Sequence, residues 1–432
     1  MTDRRTFLKQ AAVLGASLPL SSSLALAADA PAPAIPPPAA LSGADKWRNL
    51  RELFPLDHKI AHFANFLVTA HPRPVQDAID YYRREIDRNP AALMDWESQY
   101  EWNREGEVRE WVARYLEVRP RQIALTGSTT EGLGMIYGGL DVSAEQEILT
   151  TEHEHYSTHK CLAFRTQRQG TQVRKLRLFD NPWQVSTDQV LSTLDKNIRP
   201  QTRVLGMTWV HSGSGVKLPV GEIGELVRRH NRDRDPAQRI IYVVDGVHGF
   251  GVENQRFADF NCDYFISGTH KWMFGPRGTG VICAASEQMG PLKPTFATFS
   301  QEEDFATIMT PGGYHAFEHR WAVGKAFELH LQLGKADVQA RIHQLNDRLK
   351  AGLLEHKAIQ LVTPRSSEFS AGFTFFRIKD RDPDAVAAYL VENNVMADAV
   401  YRDVGPVIRL APSLLNNEQE VDKALALLSK KI

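Results

Sequence analysis

The stretch that constrains this chain most is residues 240–280, where two apolar runs each lead to a residue capable of chemistry. The first run, IIYVV, is rich in β-branched residues and ends at Asp245, which predicts a strand buried on both faces of a sheet. The second run, YFI, is shorter and leads to Lys271, after which comes a glycine-rich segment, GPRGTG. Open α/β sheets bind ligands at the carboxyl ends of their strands, so the pattern predicts one ligand-binding edge for Asp245 and Lys271.

A carboxylate and a lysine amine are the two groups that pyridoxal 5'-phosphate (PLP) requires from a protein. Asp245 would keep the pyridine nitrogen protonated, and the Lys271 amine would bind the aldehyde as a Schiff base. Taken singly, Asp245 is better explained as a turn or helix-capping residue, and Lys271 as a solvated surface side chain. Together, with His270 before the lysine and glycines after it, they favour a PLP site.

With these motifs the chain resembles the class V aminotransferase family of fold-type I PLP enzymes, which includes cysteine desulfurases, kynureninases and isopenicillin-N-epimerase-like proteins. Asp245, Val247 and His248 match the family's aspartate, small residue, and Gln or His, and His270-Lys271 matches its HK dipeptide. The resemblance implies an α/β fold, with a mostly parallel sheet flanked by helices and a small α+β C-terminal domain. It also implies a homodimer that acts on an amino-acid-like substrate.

A strand predicted at residues 123–125 leads to Ser128, Thr129 and Thr130, where a helix-like segment begins. Backbone N–H groups and hydroxyls collect at such a helix N-terminus, as they do in phosphate sites. The same residues equally fit an ordinary N-cap with Glu131 in the first turn. The family holds its PLP phosphate at this first strand-to-helix turn, so the resemblance implies phosphate contacts here.

The segment EHEHYSTHK is rich in histidine, but His153, His155 and His159 do not share one helical face, so we expect no metal site. Glu154-His155 instead matches the family's acid–aromatic pair, which implies that His155 stacks on the pyridine ring and transfers protons. Ser212 falls where relatives carry a polar residue near the phenolic oxygen. The cofactor contacts expected in all are Ser128, Thr129, Thr130, His155, Ser212, Asp245, Val247, His248, Thr269, His270 and Lys271.

Two arginines are candidates for binding the α-carboxylate of a substrate. Arg409, in VIRLAP, resembles the arginine with which kynureninase-like enzymes clamp that group, and Arg402 is the second candidate. The planar guanidinium suits this role because it binds a carboxylate through two parallel hydrogen bonds. Either arginine would alternatively form a structural pair with an acid such as Asp403. Asn65 matches the position of the family's substrate-side asparagine.

The first 30 residues are expected to be a twin-arginine (Tat) signal peptide, because Arg4-Arg5 precede an apolar segment that ends in a small-x-small sequence at Ala25 to Ala27. The Tat machinery would export the folded protein to the periplasm. A membrane anchor is disfavoured, since the apolar stretch is shorter than the roughly 20 residues of a bilayer span and contains Pro19. No membrane anchor is therefore expected after cleavage.

The rest of the chain divides into three expected parts. Residues 31–45 are a Pro/Ala linker, and residues 46–300 are a large PLP-binding domain with an N-terminal helical segment. Residues 301–432 contain an excursion at a subunit interface, one linking helix over residues 322–356, and the small C-terminal domain. By resemblance, Tyr314 and His315 in the excursion would reach the neighbouring subunit's site.

Charge and cysteine content argue against a nucleic-acid partner and against cysteine-desulfurase chemistry. Lys and Arg number 51 and Asp and Glu 52, without like-charge blocks, so a nucleic-acid partner is not expected. Cys262 and Cys283 lie in apolar, strand-like contexts and are expected in the core. Cysteine desulfurases keep their nucleophilic thiol well beyond the Schiff-base lysine, whereas no cysteine follows Cys283 here. The chain therefore lacks that persulfide chemistry.

The leader, the class V motifs and the missing thiol together resemble the periplasmic enzymes that modify siderophores. This resemblance implies a peptide-siderophore substrate and oxidative decarboxylation of the glutamate side chain of pyoverdine to a succinamide. A PLP-dependent epimerase, C–S lyase or aminotransferase acting on another amino acid remains an alternative, because all begin on the same bound amine. A periplasmic binding protein on a PLP-enzyme fold is the non-enzymatic alternative, and it would tolerate the loss of Lys271.

Overall fold

The computed structural model describes residues 34–94, 100–299 and 302–431, so the predicted signal peptide lies outside the described residues. The α-helices are α1 (Lys46–Glu52), α2 (Arg73–Arg88), α3 (Tyr100–Leu116), α4 (Thr129–Gly139), α5 (Tyr156–Gln169), α6 (Thr187–Asn197), α7 (Val220–Asn231), α8 (Phe305–Ile308), α9 (Phe317–Leu333), α10 (Lys335–Leu354), α11 (Pro383–Glu392) and α12 (Glu418–Ser429). The strands are β1 (Ala61–His62), β2 (Ile123–Thr126), β3 (Glu147–Thr151), β4 (Gln172–Leu176), β5 (Thr202–Thr208), β6 (Ile241–Asp245), β7 (Tyr264–Gly268), β8 (Gly280–Ala284), β9 (Ile359–Leu361), β10 (Thr374–Ile378), β11 (Val395–Met396), β12 (Asp398–Val400) and β13 (Val407–Leu410).

Seven strands form the main sheet in the order β2-β8-β7-β6-β5-β3-β4. Strands β3 to β7 pair in parallel, and β8 runs antiparallel to its neighbours β2 and β7. Parallel neighbours need crossover connections. Helices α5, α6 and α7 lie in the connections from β3 to β6, whereas the connection from β6 to β7 contains only a 3-10 turn, Phe257–Phe260. The predicted mostly parallel sheet is confirmed.

Alternate residues of the central strands pack into different cores. In β6, Tyr242 and Val244 belong to one apolar cluster, and Ile241 and Val243 belong to another. Successive strand side chains point to opposite faces, so β6 is buried on both faces, as its composition predicts. The strand ends at Asp245, at the carboxyl edge of the sheet.

A second sheet of four antiparallel strands has the order β12-β13-β10-β9. Arg409 lies on β13, an inner strand, directly opposite Asp398 of β12 and Phe375 of β10. Strand β1 pairs in parallel with β11. Part of the N-terminal segment thus joins the C-terminal strands, an arrangement that the division predicted at residue 300 does not include.

The single linking helix predicted over residues 322–356 is wrong. Helix α9 ends at Leu333 and α10 begins at Lys335, and Gly334 between them has a φ of +80°. Glycine adopts this left-handed backbone without steric cost, so it breaks a segment whose apolar pattern continues on both sides. Helix α9 packs against α2 and α3. No helix of the described residues is long and apolar enough to cross a membrane.

Candidate active site

Asp245 and Lys271 follow neighbouring parallel strands and share one site. Asp245 is 4% exposed, and its Oδ1 accepts the Val247 backbone N–H at 3.2 Å. Burial raises the pKa of Asp245 to about 6, against the Val247 hydrogen bond and the charge of Lys271. Burial likewise lowers the pKa of Lys271 to about 8, against the charge of Asp245. Each group favours the ionised form of the other, as expected of two charges at one sheet edge.

His248 and Trp272 fix the hydrogen bonding of the Lys271 amine. The Trp272 indole N–H donates to His248 Nδ1 at 3.3 Å, and His248 Nε2 lies 3.3 Å from Lys271 Nζ. An indole nitrogen only donates, so the proton of a neutral His248 lies on Nε2 and points at the lysine. Burial, followed by the charge of Lys271, holds the pKa of His248 well below its usual range. His248 therefore favours a neutral, nucleophilic Lys271 amine.

Glu154 ties β3 to β5 at the same edge. Its carboxylate accepts from the Thr151 hydroxyl at 2.7 Å, from the Thr208 backbone N–H at 3.2 Å, and from the Thr208 hydroxyl. Burial raises the pKa of Glu154 to about 7, although these hydrogen bonds favour the charged form. No role was predicted for Thr151 and Thr208. The available signal was that the apolar runs EILTT and RVLGMTWV each carry a threonine at or near the end.

His155 is the N-cap of α5, and its Nδ1 accepts the Ser157 backbone N–H at 3.2 Å. Burial, followed by the charges of Arg402 and Lys271, lowers the pKa of His155 to about 4. The ring is therefore neutral near pH 7, with its proton on Nε2. A neutral ring suits stacking on a cofactor. An imidazole with a pKa of about 4 is, however, a weak base. Stacking stays a prediction, and Lys271 is the better candidate for proton transfer.

The turn before α4 has the form expected of an anion site. Ser128 Oγ caps the helix by accepting the Glu131 N–H at 3.1 Å, and Thr129 Oγ1 accepts the Gly268 N–H at 2.7 Å. Both hydroxyls keep a hydrogen to donate, and Thr130 is exposed at the same turn. Ser128 thus takes the capping role that sequence analysis left open, without losing its capacity to contact phosphate.

Three other predicted contacts have structural partners. Thr269 is fully buried, and its hydroxyl pairs with Thr279 at 2.5 Å, so its side chain holds the turn after β7, and its contact with the cofactor stays a prediction. Asn65 donates its amide to the His62 carbonyl at 3.0 Å. His270 is half-buried, with Nδ1 lying 3.4 Å from the Thr279 carbonyl oxygen. Sequence motifs placed these residues beside the site, but did not show which hydrogen bonds they make.

The two predicted carboxylate-binding arginines converge on the Ser212 carbonyl oxygen, each at 3.0 Å. Arg409 Nε donates to Asp398 Oδ1 at 2.9 Å, Nη2 donates to Oδ2, and the guanidinium lies 4.2 Å from the Phe66 ring centroid. Asp398 thus occupies Nε and Nη2, a pair of donors through which Arg409 could otherwise bind a substrate carboxylate. Arg409 Nη1 and Nη2 each make one of these bonds and keep one N–H each. Arg402 Nη1 is buried without a hydrogen-bond partner among the described residues.

The donor set fits PLP. Asp245 can pair with a pyridinium, Lys271 with an aldehyde, and the turn before α4 with a phosphate. An added Cβ at Gly268 would lie 2.9 Å from His270 Cε1 and 3.0 Å from Thr129 Oγ1, so glycine is needed between the lysine segment and the phosphate turn. In the described residues, no three His, Cys, Asp or Glu side chains are grouped to hold a metal ion.

Residues 68–413 match the model of the Aminotransferase class-V family. The chain belongs to this family. The predicted PLP-dependent enzyme and its cofactor are confirmed. Isopenicillin N epimerase of Amycolatopsis lactamdurans is 26% identical over 409 residues, covering 90% of this chain and 100% of the relative. A probable cysteine desulfurase of Pyrococcus abyssi is 23% identical over 404 residues, covering 89% and 97%.

Solved structures show the same fold at low identity. A mutant of C-DES, with glycine covalently linked to its PLP cofactor, has a TM-score of 0.78 at 21% identity, covering 88% of this chain and 98% of that one. C-DES in complex with cysteine persulfide, described as a cystine C–S lyase, has a TM-score of 0.77. The predicted fold-type I architecture is confirmed.

Proposed function

We propose that this enzyme acts on an amino-acid moiety that carries a free α-amino and a free α-carboxylate group. The observation that supports this most directly is the pair of arginines whose charges act on Lys271, one of which has a buried nitrogen without a partner in the part of the chain that the structure describes. When bound, PLP supplies the electron sink for the bond broken at Cα. Lys271 would then give and take the proton at Cα, while the arginines orient the carboxylate.

We further propose that the chain is exported by the Tat route and matures a siderophore in the periplasm. The support is the leader sequence, joined to a class V core without a thiol after Cys283. In these features it resembles PvdN, the periplasmic pyoverdine-maturation enzyme. The reaction would convert the glutamate moiety to a succinamide. Dioxygen would be the oxidant, with one oxygen atom entering the amide, the other leaving as water, and the carboxylate leaving as CO2.

We also propose a homodimer, as the family resemblance implies. Tyr314, in the excursion expected at the subunit interface, is 70% exposed, and Leu67 and Val68 beside the predicted substrate loop are 50% and 58% exposed. Apolar side chains exposed near a site are consistent with a partner that covers them. Sedimentation of the purified protein tests the dimer.

An epimerase is the second candidate. It is favoured by the isopenicillin N epimerase relative, which aligns over 90% of this chain. The two functions differ in what happens to the carboxylate. An epimerase keeps the carboxylate and returns the substrate with inverted Cα stereochemistry, whereas the proposed reaction releases the carboxylate as CO2. Chiral analysis of recovered substrate and capture of CO2 distinguish them.

The deciding experiment uses a pyoverdine-producing strain that lacks its own succinamide-forming enzyme. Expression of this chain should restore the succinamide form in mass spectra of the siderophore. Lys271→Ala should not restore it, whereas Lys293→Ala, which alters an exposed lysine, should. An unchanged siderophore with the wild-type chain removes the siderophore proposal, and restoration by Lys271→Ala would mean that Lys271 does not carry the reaction.

A further inference from the structure

A buried hydrogen bond joins the turn after β3 to the turn between β12 and β13, residues 401–406. The His153 side chain is 1% exposed, and its Nδ1 lies 2.7 Å from Asp403 Oδ1. His153 Nε2 accepts the Leu178 backbone N–H at 3.2 Å. Because that nitrogen is an acceptor, the proton of the neutral ring lies on Nδ1 and is donated to Asp403. The ring also stacks on Phe179, 3.9 Å between centroids.

Asp403 holds its turn in an uncommon conformation. Its φ is +62°, and that of Gly405 is +87°. A left-handed backbone in a residue other than glycine persists where surrounding contacts determine it. A Cβ added at Gly213 would lie 2.9 Å from Asp403 Cβ, so the turn packs closely on the loop after β5. Burial would raise the pKa of Asp403, but the His153 hydrogen bond and nearby charges outweigh it and keep the pKa below its usual value.

Arg402 directly precedes this fixed residue. Its Nη2 donates to the Ser212 carbonyl, and its Nη1 has no partner among the described residues. Its positive charge contributes to the lowered pKa of both His155 and Lys271, after burial in each case. Arg402 therefore lies close enough to His155 and Lys271 to act on their charges, and it keeps a nitrogen without a partner among the described residues, whereas Asp398 occupies the fork of Arg409.

We propose that His153 and Asp403 are positioning residues that aim Arg402 at the α-carboxylate of the substrate. The hydrogen bond does this in two ways. It holds the turn that carries Arg402 against the large sheet, and it turns the Asp403 carboxylate toward His153. Without His153, that carboxylate is free to pair with the adjacent Arg402 and occupy the donor that a substrate needs. The proposal rests on the proposed function, which supplies the carboxylate ligand.

The test compares three variants of the full-length holoenzyme. Asp403→Gly removes the carboxylate and suits the positive φ, and His153→Phe removes the donor while keeping a ring for Phe179. Asp403→Asn is the conservative control, because its amide oxygen can still accept from His153 and asparagine tolerates the left-handed backbone. Should His153→Phe not fold, His153→Gln replaces it, with an amide too short to reproduce the ring's two contacts.

Two probes are titrated into the holoenzyme, and their binding is followed through the absorbance of the cofactor. One is γ-N-ethyl-L-glutamine, which has a free α-amino and α-carboxylate, and the other is 4-amino-N-ethylbutanamide, which lacks the carboxylate. Asp403→Gly and His153→Phe should raise the apparent Kd of the first probe about tenfold, as for the loss of about one charge-assisted contact, and leave that of the second within about twofold. Asp403→Asn should resemble the wild type with both probes. An equal loss with both probes would mean a structural role only, and would overturn the proposal.

Crystal structures of Asp403→Gly and His153→Phe separate this inference from the proposed function. We expect the Arg402 guanidinium to leave the Ser212 carbonyl in both. If it remains there at about 3 Å, as now, the positioning role is refuted, whatever the substrate is. If Arg402 moves but the wild-type protein does not discriminate between the probes, the positioning holds and the carboxylate-bearing substrate is refuted.

Discussion

Replacement of Asp245 by Asn should stabilise the cofactor-free protein and weaken the holoenzyme. The carboxylate is 4% exposed and has one backbone hydrogen bond, from Val247, which an asparagine oxygen can also accept. Without PLP, its negative charge is therefore buried with little compensation. With PLP, the same charge would pair with the protonated pyridine nitrogen. Opposite effects on the two forms are the signature of a carboxylate kept for the cofactor.

The size of the effect follows from the pKa of Asp245, which burial raises from 3.8 to about 6. The folded protein binds this proton more tightly than the unfolded chain, so the stability of the cofactor-free protein falls as pH rises from about 4 to about 6. At about 1.4 kcal/mol per pH unit, two units amount to about 3 kcal/mol. Asparagine does not ionise. Above pH 6 the cofactor-free Asp245→Asn variant should therefore be more stable than the wild type by up to about 3 kcal/mol.

The assay is urea unfolding of both cofactor-free proteins at pH 4, 6 and 8, with PLP affinity measured by titration. The stability difference should grow with pH and level off above pH 6. PLP affinity should fall by about 10- to 150-fold, the equivalent of one hydrogen bond to a charged group. Asp263→Asn is the matched control, because burial also raises the pKa of Asp263, whose Oδ2 accepts the Tyr242 N–H at 2.7 Å away from the site. That variant should leave PLP affinity unchanged.

Two results would refute this reasoning. The first is a cofactor-free Asp245→Asn variant no more stable than wild type at pH 8, which would mean that the carboxylate is not desolvated. The second is normal PLP affinity and turnover in the variant, which would mean that Asp245 does not contact the pyridine nitrogen.

The remaining predictions concern the lysine, its hydrogen bonding and the arginines. Lys271→Ala should remain folded, by circular dichroism, but lose PLP-dependent turnover, and turnover at the wild-type rate would contradict its role. Trp272→Phe removes the donor to His248 Nδ1 and allows the tautomer in which His248 no longer points a proton at Lys271. The pH midpoint of PLP loading should therefore rise, and an unchanged midpoint contradicts the proposed tautomer. Arg402→Lys should weaken substrate binding by about 1.5–3 kcal/mol with PLP content intact. Normal kinetics in both Arg409→Lys and Arg402→Lys would mean that no carboxylate is bound there.

Sequence alone determined the parts of this protein that depend on local patterns. The apolar run before Asp245 predicts a strand buried on both faces, because an uninterrupted β-branched run leaves no polar face for solvent. Alternation of strands and helices determines a mostly parallel sheet, and parallel strands deliver Asp245 and Lys271 to one edge. The pairing of those two residues, and through it the cofactor, was therefore predictable.

Tertiary structure alone decided the partners of the remaining side chains. Asp398 occupies the fork of Arg409 because β12 and β13 pair in one register, and His153 meets Asp403 across 250 residues of sequence. The apolar pattern across Gly334 did not reveal that its backbone turns left-handed. Periodicity reports which side chains are buried, but a buried polar group can be satisfied by many partners of similar chemistry. Packing of the two sheets selects among them, and that selection leaves Arg402, rather than the fork of Arg409, with a donor that has no partner among the described residues.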